Sequence, residues 1–244
     1  MQYKFLLALA AVAPLVAAHG KIAVVQGDAG GNGTALAIQG AIVPGAGSNK
    51  ETEVDTTVFK STKIASNGLG HTSGQGKNKV AMIAEAMALS GSTLPQVSAN
   101  GGSISGTFHI VTTDGAGPLK AVIDSTAKGA FAKGALAKVI EQVPGKNGNI
   151  RPDGTVKQRS ITGRALVKRA ANVDRDFPFK VEIPAGTTCS GTANGLKNVC
   201  LLKVANSNPA GPFGGVIAFQ VAGGKAKLVD AREAEAEAEA EDEE

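Results

Sequence analysis

The sequence predicts a mostly β protein, an immunoglobulin- or fibronectin-like β-sandwich with long loops and one or two short helices. Three observations lead there. The chain of 244 residues carries 32 glycines amid many Val, Thr and Ser residues, a composition that favours short strands and frequent turns. Its apolar segments are short, several alternate in hydrophobicity, and turn residues separate them. It has no Trp, and its one Tyr, Tyr3, falls near the N-terminus, so the core must rest on Val, Ile, Leu and Ala.

Taken in order, residues 21–26 and 35–42 are apolar and β-prone, flanking the loop Gly27-Asp28-Ala29-Gly30-Gly31-Asn32-Gly33. That loop contains Asn32-Gly33-Thr34, an acceptor sequon for N-glycosylation in an exported chain. Residues 77–90 change period: Val80, Ile83, Ala84 and Met87 fall on one face of a short helix. Residues 103–113 alternate, with Ile104, Phe108 and Ile110 facing one way and Thr107, His109 and Val111 the other. Asp114-Gly115-Ala116-Gly117-Pro118 is a turn before a strand over 119–124. Residues 127–142 hold the near-repeat Lys-Gly-Ala-Phe-Ala, Lys-Gly-Ala-Leu-Ala, too rich in glycine for a helix. Residues 145–175 read as a long polar loop, and 179–183, 199–205 and 216–221 as closing strands.

Residues 1–18 have the form of a signal peptide. A basic start at Lys4 precedes an apolar run, and Val16-Ala17-Ala18 offers the small residues signal peptidase requires. Residues 19–232 then form one β domain, and residues 233–244 an acidic Glu-Ala tail. No segment has the length and apolarity of a transmembrane helix, so the expected product is secreted, extracellular or wall-associated, and a monomer. Charge is segregated along it. Formal charge is +4, but without Lys4 and the eight acids of the tail the body carries 24 basic against 13 acidic residues, or +11. Such a body can adhere to anionic wall polymers. Its lysines and arginines are scattered and lack interleaved aromatics, which argues against specific nucleic-acid binding. Lys168-Arg169 is a dibasic pair suited to secretory processing. Cys189 and Cys200, the only cysteines, are expected to form one disulfide in an oxidising compartment, worth about 2–3 kcal/mol.

Cleavage after Ala18 would make His19 the first residue, placing a free amine and an imidazole together as a chelate for copper. His109 and Asp114, five residues apart across a strand end, are the expected partner ligands, and the nitrogen and oxygen set suits copper or zinc. His71, in Gly70-His71-Thr72-Ser73-Gly74, is the alternative ligand. Other chemistries find little support. Three histidines without a nucleophile elbow argue against a hydrolase triad, and no glycine loop carries the lysine and helix of a phosphate site. Asp124 and Glu182 are the carboxylates worth following for glycosidase chemistry.

Several motifs together resemble one family. These are His109 and Asp114 before Gly117-Pro118, then Pro144-Gly145-Lys146-Asn147-Gly148, Asp176-Phe177-Pro178, and Ile183-Pro184-Ala185-Gly186-Thr187-Thr188-Cys189. Asn198-Val199-Cys200-Leu201 and Asn208-Pro209-Ala210-Gly211-Pro212-Phe213-Gly214-Gly215 complete the set. In order and spacing they resemble the fungal Egh-like virulence factors, the Gas/Mas-type proteins of appressoria, over residues 19–221. The resemblance implies an exported protein made as infection structures develop, with no settled enzymatic activity. The chain departs from that family in having few cysteines, in Lys203-Val204 where Arg-Cys is often found, and in Leu119 where an aromatic commonly follows Gly-Pro. A remoter resemblance is to lytic polysaccharide monooxygenases, secreted β-sandwiches that begin His-Gly, as His19-Gly20 would here. It implies a copper brace with Phe219 as axial neighbour. The absence of Tyr and Trp after residue 18 removes the rings such enzymes use to stack on sugars. The expected function is therefore a surface or virulence factor acting in appressorium development and host penetration and binding fungal or host wall polysaccharide. The alternative is a copper-dependent oxidative enzyme acting on polysaccharide.

Overall fold

The computed structural model describes residues 19–40, 53–156 and 171–223. The leader, Lys168-Arg169 and the acidic tail lie outside the described residues. Thirteen strands and one α-helix are described: β1 (Gly20–Gly27), β2 (Gly30–Gly33), β3 (Thr57–Val58), β4 (His71–Thr72), β5 (Gly76–Lys77), a 3-10 turn (Val80–Met82), α1 (Ile83–Leu89), β6 (Gln96–Val97), β7 (Gly102–Thr112), β8 (Lys120–Asp124), a second 3-10 turn (Phe131–Lys133), β9 (Ala135–Glu141), β10 (Asn172–Ile183), β11 (Gly191–Ala193), β12 (Leu196–Ala205) and β13 (Phe213–Val221).

The all-β class holds, but the β-sandwich expectation is corrected. Seven strands close on themselves in the order β1–β7–β10–β9–β8–β12–β13, and β13 returns to β1. β12 pairs with both β8 and β13. The closing contact is parallel, at Lys21 opposite Gly214, whereas every other junction of the ring is antiparallel. Alternation assigns a strand two faces without naming its neighbours, so a barrel wall and a sandwich sheet give the same pattern. Gly214 is also required by the neighbouring strand: a Cβ there would lie 2.0 Å from the Val204 carbonyl oxygen of β12.

Two cores flank the wall. Ile22, Val25, Ile104, Phe108, Ile110, Ile123, Phe179, Val181, Leu202, Val204, Ile217 and Phe219 fill the barrel. On the outer side of β8, β12 and β13, Val122, Val199, Leu201, Val216 and Ala218 pack beneath Leu36, Phe59, Ile83, Leu94 and Phe131. β12 and β13 are thus covered on both faces and read as continuous apolar runs. The expected helix forms as α1, with Ile83 and Ala86 buried and Val80 and Met87 packed on the second core.

Three expectations change. Residues 35–40 do not form a strand: Ala35 makes one bridge to Ile217, and Ala37, at φ +65°, turns the chain away. Residues 135–141 form β9 because β8 and β10 supply partners on both sides of a weakly apolar segment. β10 starts at Asn172, inside the segment read as a loop, and contains a bulge between Asn172 and Arg175 at which Asp174 adopts φ +45°. Cys189 and Cys200 are bonded as expected, tying the approach to β11 onto β12.

Candidate functional site

His19 is built into the barrel wall. Its carbonyl accepts from the Val111 and Thr112 amides at 2.9 and 3.2 Å, extending the β1–β7 ladder by one residue. A Cβ on Gly20 would strike the Phe108 ring and Ile22 lies in the barrel core. By strand alternation, His19 and Lys21 therefore face outward. Residues 53–55 cross over them. Glu53 Oε1 lies 2.7 Å from His19 Nδ1, and Asp55 Oδ2 lies 3.1 Å from Lys21 Nζ. All four residues are buried. The crossing segment is fixed in turn, because Gln39 donates to Asp55 Oδ1 and Gly74 to the Val54 carbonyl. Buried polar and charged groups persist when partnered, and these two contacts match in sequence: His19-x-Lys21 against Glu53-x-Asp55. That i, i+2 complementarity was the available signal for Lys21, Glu53 and Asp55, which sequence reasoning missed.

The His19 nitrogen donates to Thr112 Oγ1 at 2.9 Å, and the Thr112 hydroxyl donates to Asp114 Oδ1 at 2.8 Å. Burial pushes the Asp114 carboxyl above its ordinary value, against the opposing pull of the Thr112 hydrogen bond and the nearby His19. Phe213 closes one side, its ring centroid 5.5 Å from that of His19. Cleavage after Ala18 would turn this nitrogen into an amine seated on the Thr112 hydroxyl, with the Asp114 carboxyl behind it.

The motifs that carry the family resemblance frame this corner. Asn208 Nδ2 donates to the carbonyls of Asp114 and Gly148, and Asn206 Nδ2 to that of Ala116. Asn206 Oδ1 accepts from the Asn208 and Phe213 amides. A Cβ on Gly115 would lie 2.0 Å from the His19 carbonyl oxygen, and one on Gly148 would lie 2.6 Å from Asn208 Cβ. These glycines let three loops meet around His19 and Asp114.

Of the remaining expected ligands, His109 shares the outer face of the wall with His19 and Lys21, diagonal to His19 across β1 and β7. His109 stands in a row across three strands, with Lys21 on one side and Asp176 on the other. Its Nδ1 is 2.7 Å from Asp176 Oδ1, and its Nε2 is 3.9 Å from Asp174 Oδ1. Asp114 is thus coupled to His19, through Thr112, and not to His109 as expected. His71 is exposed on β4, in the strand extension outside the barrel. Phe219 is fully buried inside the barrel, on the opposite side of the wall from the His19 ring, so it cannot serve as an axial neighbour. Glu53 Oε1 lies 2.7 Å from His19 Nδ1, the atom that would chelate alongside the terminal amine. Among the described residues no three His, Cys, Asp or Glu side chains are grouped to hold a metal.

The two carboxylates followed for glycosidase chemistry have other roles. Asp124 is buried and accepts from the Thr126 amide and hydroxyl and from the amides of Lys128, Gly129 and Ala130. Burial alone would raise its pKa, but these hydrogen bonds outweigh burial and lower it, which suits a loop clasp and not a proton donor. Glu182 is exposed on β10 opposite Lys138. Asn32 is exposed on β2.

Comparison with known proteins agrees with the motif reading. Residues 17–214 match the family described as Egh16-like virulence factor. The chain is 39% identical over 213 residues to the appressoria-specific virulence factor GAS1 of Pyricularia oryzae, covering 86% of this chain and 75% of the relative. It is 40% identical over 122 residues to the appressoria-specific virulence factor GAS2 of the same organism, covering 48% of this chain and 35% of the relative. No solved structure matches the chain. With its matched region spanning most of the barrel and every loop that frames His19, the chain belongs to the Egh16-like virulence factor family.

Proposed function

We propose that this protein is an exported factor that works at the fungal surface or host interface during penetration, with its basic body binding wall polymers. The observation that carries this reading is the position of His19. The wall of the barrel begins at the residue after a signal-peptide-like leader, so cleavage after Ala18 would release a complete fold. The names of the relatives place them in appressoria, the structures that penetrate hosts. His19, His109 and the buried carboxylates around the barrel are engaged with one another and in loop clasps, which supports a stable scaffold over a turnover site.

A strain lacking the protein should form appressoria and lose penetration. The full chain should restore it, whereas a chain without residues 2–18 should not. Restoration by the leaderless chain, or undiminished penetration without the protein, would overturn the proposal.

The copper reading has one observation in its favour: the His19 nitrogen and imidazole are both seated beside carboxylates, Asp114 through Thr112 and Glu53 directly. It requires Glu53 to leave Nδ1. Copper titration of the secreted protein, followed by paramagnetic resonance, checks it. A one-to-one site lost in His19→Ala would establish the chelate, and identical binding by wild type and His19→Ala would remove it.

A further inference from the structure

We propose that residues 57–79 and 125–133 together form a docking face for a linear polyuronate, a wall polysaccharide bearing one carboxylate per sugar. This inference rests on the wall-binding reading above and gives it a place and a ligand class. Lysines that look scattered along the sequence are gathered by the fold. Gly68 donates to the Gly129 carbonyl at 3.0 Å, and the Ala132 amide to Asn67 Oδ1 at 2.8 Å, joining the two segments. Lys60, Lys63, Lys77, Lys79, Lys128 and Lys133 are all exposed on them.

No acidic residue occurs between positions 56 and 84 or between 125 and 140. The acids that precede the two segments, Asp55 and Asp124, are both buried, Asp55 against Lys21 Nζ and Asp124 against the amides of the loop above it. Glu85, the first acid after the first segment, is exposed on α1. The face therefore has an uncompensated positive field, and its charged groups stand on a fixed support. Lys203 Nζ lies beneath, donating to the Ile64 and Ser66 carbonyls and lying 4.8 and 4.6 Å from the Phe59 and Phe131 ring centroids. One buried cation thus braces both segments, which lowers the ordering cost of binding.

The chemistry of the face selects among polyanions. Its cations are all lysines, point charges without the bidentate fork that arginine offers to phosphate. Its two phenylalanines, Phe59 and Phe131, are buried under it and leave no ring for stacking on a nucleic-acid base. The large exposed apolar side chains, Val24, Leu89, Leu136, Ile140 and Val156, all lie outside the two segments, so nothing on the face inserts into a bilayer. Spaced single carboxylates on an extended, hydroxyl-rich polymer match what remains.

The test uses the full secreted chain with polygalacturonate, dextran as neutral control, duplex DNA and phosphatidylserine vesicles. Lys60→Gln, Lys63→Gln, Lys128→Gln and Lys133→Gln are combined. A second variant carries Lys120→Gln, Lys138→Gln, Lys146→Gln and Lys197→Gln, four exposed lysines elsewhere. Polygalacturonate should bind at about 0.05 M salt and release near 0.5 M, and dextran should not bind. The first variant should lose about tenfold in affinity and the second less than about threefold, with both melting like wild type. Equal losses in the two variants, absent polygalacturonate binding at low salt, or tighter binding of DNA or vesicles would each overturn the proposal. The penetration experiment reads the parent function separately, so failure of this face alone leaves that reading standing.

Discussion

Gly115→Ala is expected to destabilise the protein by about 3 kcal/mol and to dislodge His19. The new Cβ would lie 2.0 Å from the His19 carbonyl oxygen, 2.3 Å from its carbon and 2.7 Å from the Gly20 nitrogen. All three are backbone atoms. The carbonyl is held by the Val111 and Thr112 amides, so none can move without opening the first rungs of β1 against β7. Gly186→Ala provides the comparison. It has nothing within 4 Å and a φ of +75°, so only backbone strain is at issue, costing about 1 kcal/mol. Denaturant unfolding of both variants checks the pair, and the His19 imidazole resonances report whether its contact with Glu53 survives. A Gly115→Ala cost no larger than that of Gly186→Ala would show that the loops do not meet around His19 as described.

Lys203→Ala is expected to cost about 4 kcal/mol. It removes a stem packed among the second core and leaves the Ile64 and Ser66 carbonyls without their donor. Lys203→Met, which keeps the volume, should cost roughly half as much. A pH signature separates the charge from the packing. Burial lowers the Lys203 pKa from 10.5 to about 8, so between those values the unfolded chain binds more protons than the folded one. Folding stability contributed by this group should therefore rise with pH from about 8 to about 10.5, by roughly 3 kcal/mol in full. Below about 8 both states are charged, and the cost of burying the charge is constant. Stability of wild type relative to Lys203→Met, followed by denaturant midpoints from neutral pH to about 10, should increase along that window. A flat difference would mean the ammonium is not desolvated.

These two sites show what the chain made legible. Periodicity in residues 103–113 and 216–221 gave strands and faces because alternate side chains enter a dense interior. It could not give the β1–β13 contact, which joins the two ends of the fold through Lys21 and Gly214. β9 was missed because its interior positions are small and its outward positions include exposed Leu136 and Ile140, leaving no alternation to read. His19 and Asp114 were singled out individually from the sequence, and the structure joins them through Thr112. Glu53 and Asp55 were missed because the segment that carries them is distant in sequence and has no regular element of its own. Lys203 read as a departure from a family pattern, and only its surroundings of Phe59, Phe131 and two carbonyls give it a role. The charge excess was visible in composition, but its concentration on one face required the contact between residues 64–70 and 128–133.

The most direct test of the account is intact-mass and N-terminal analysis of the protein recovered from the culture medium of a fungal host expressing the full chain. The secreted protein should begin at His19, with its amine on the Thr112 hydroxyl. Retention of the chain inside the cell, or a first residue beyond the start of β1 at Gly20, would contradict it, because the barrel would then lack the residue on which its first strand and its candidate site are built.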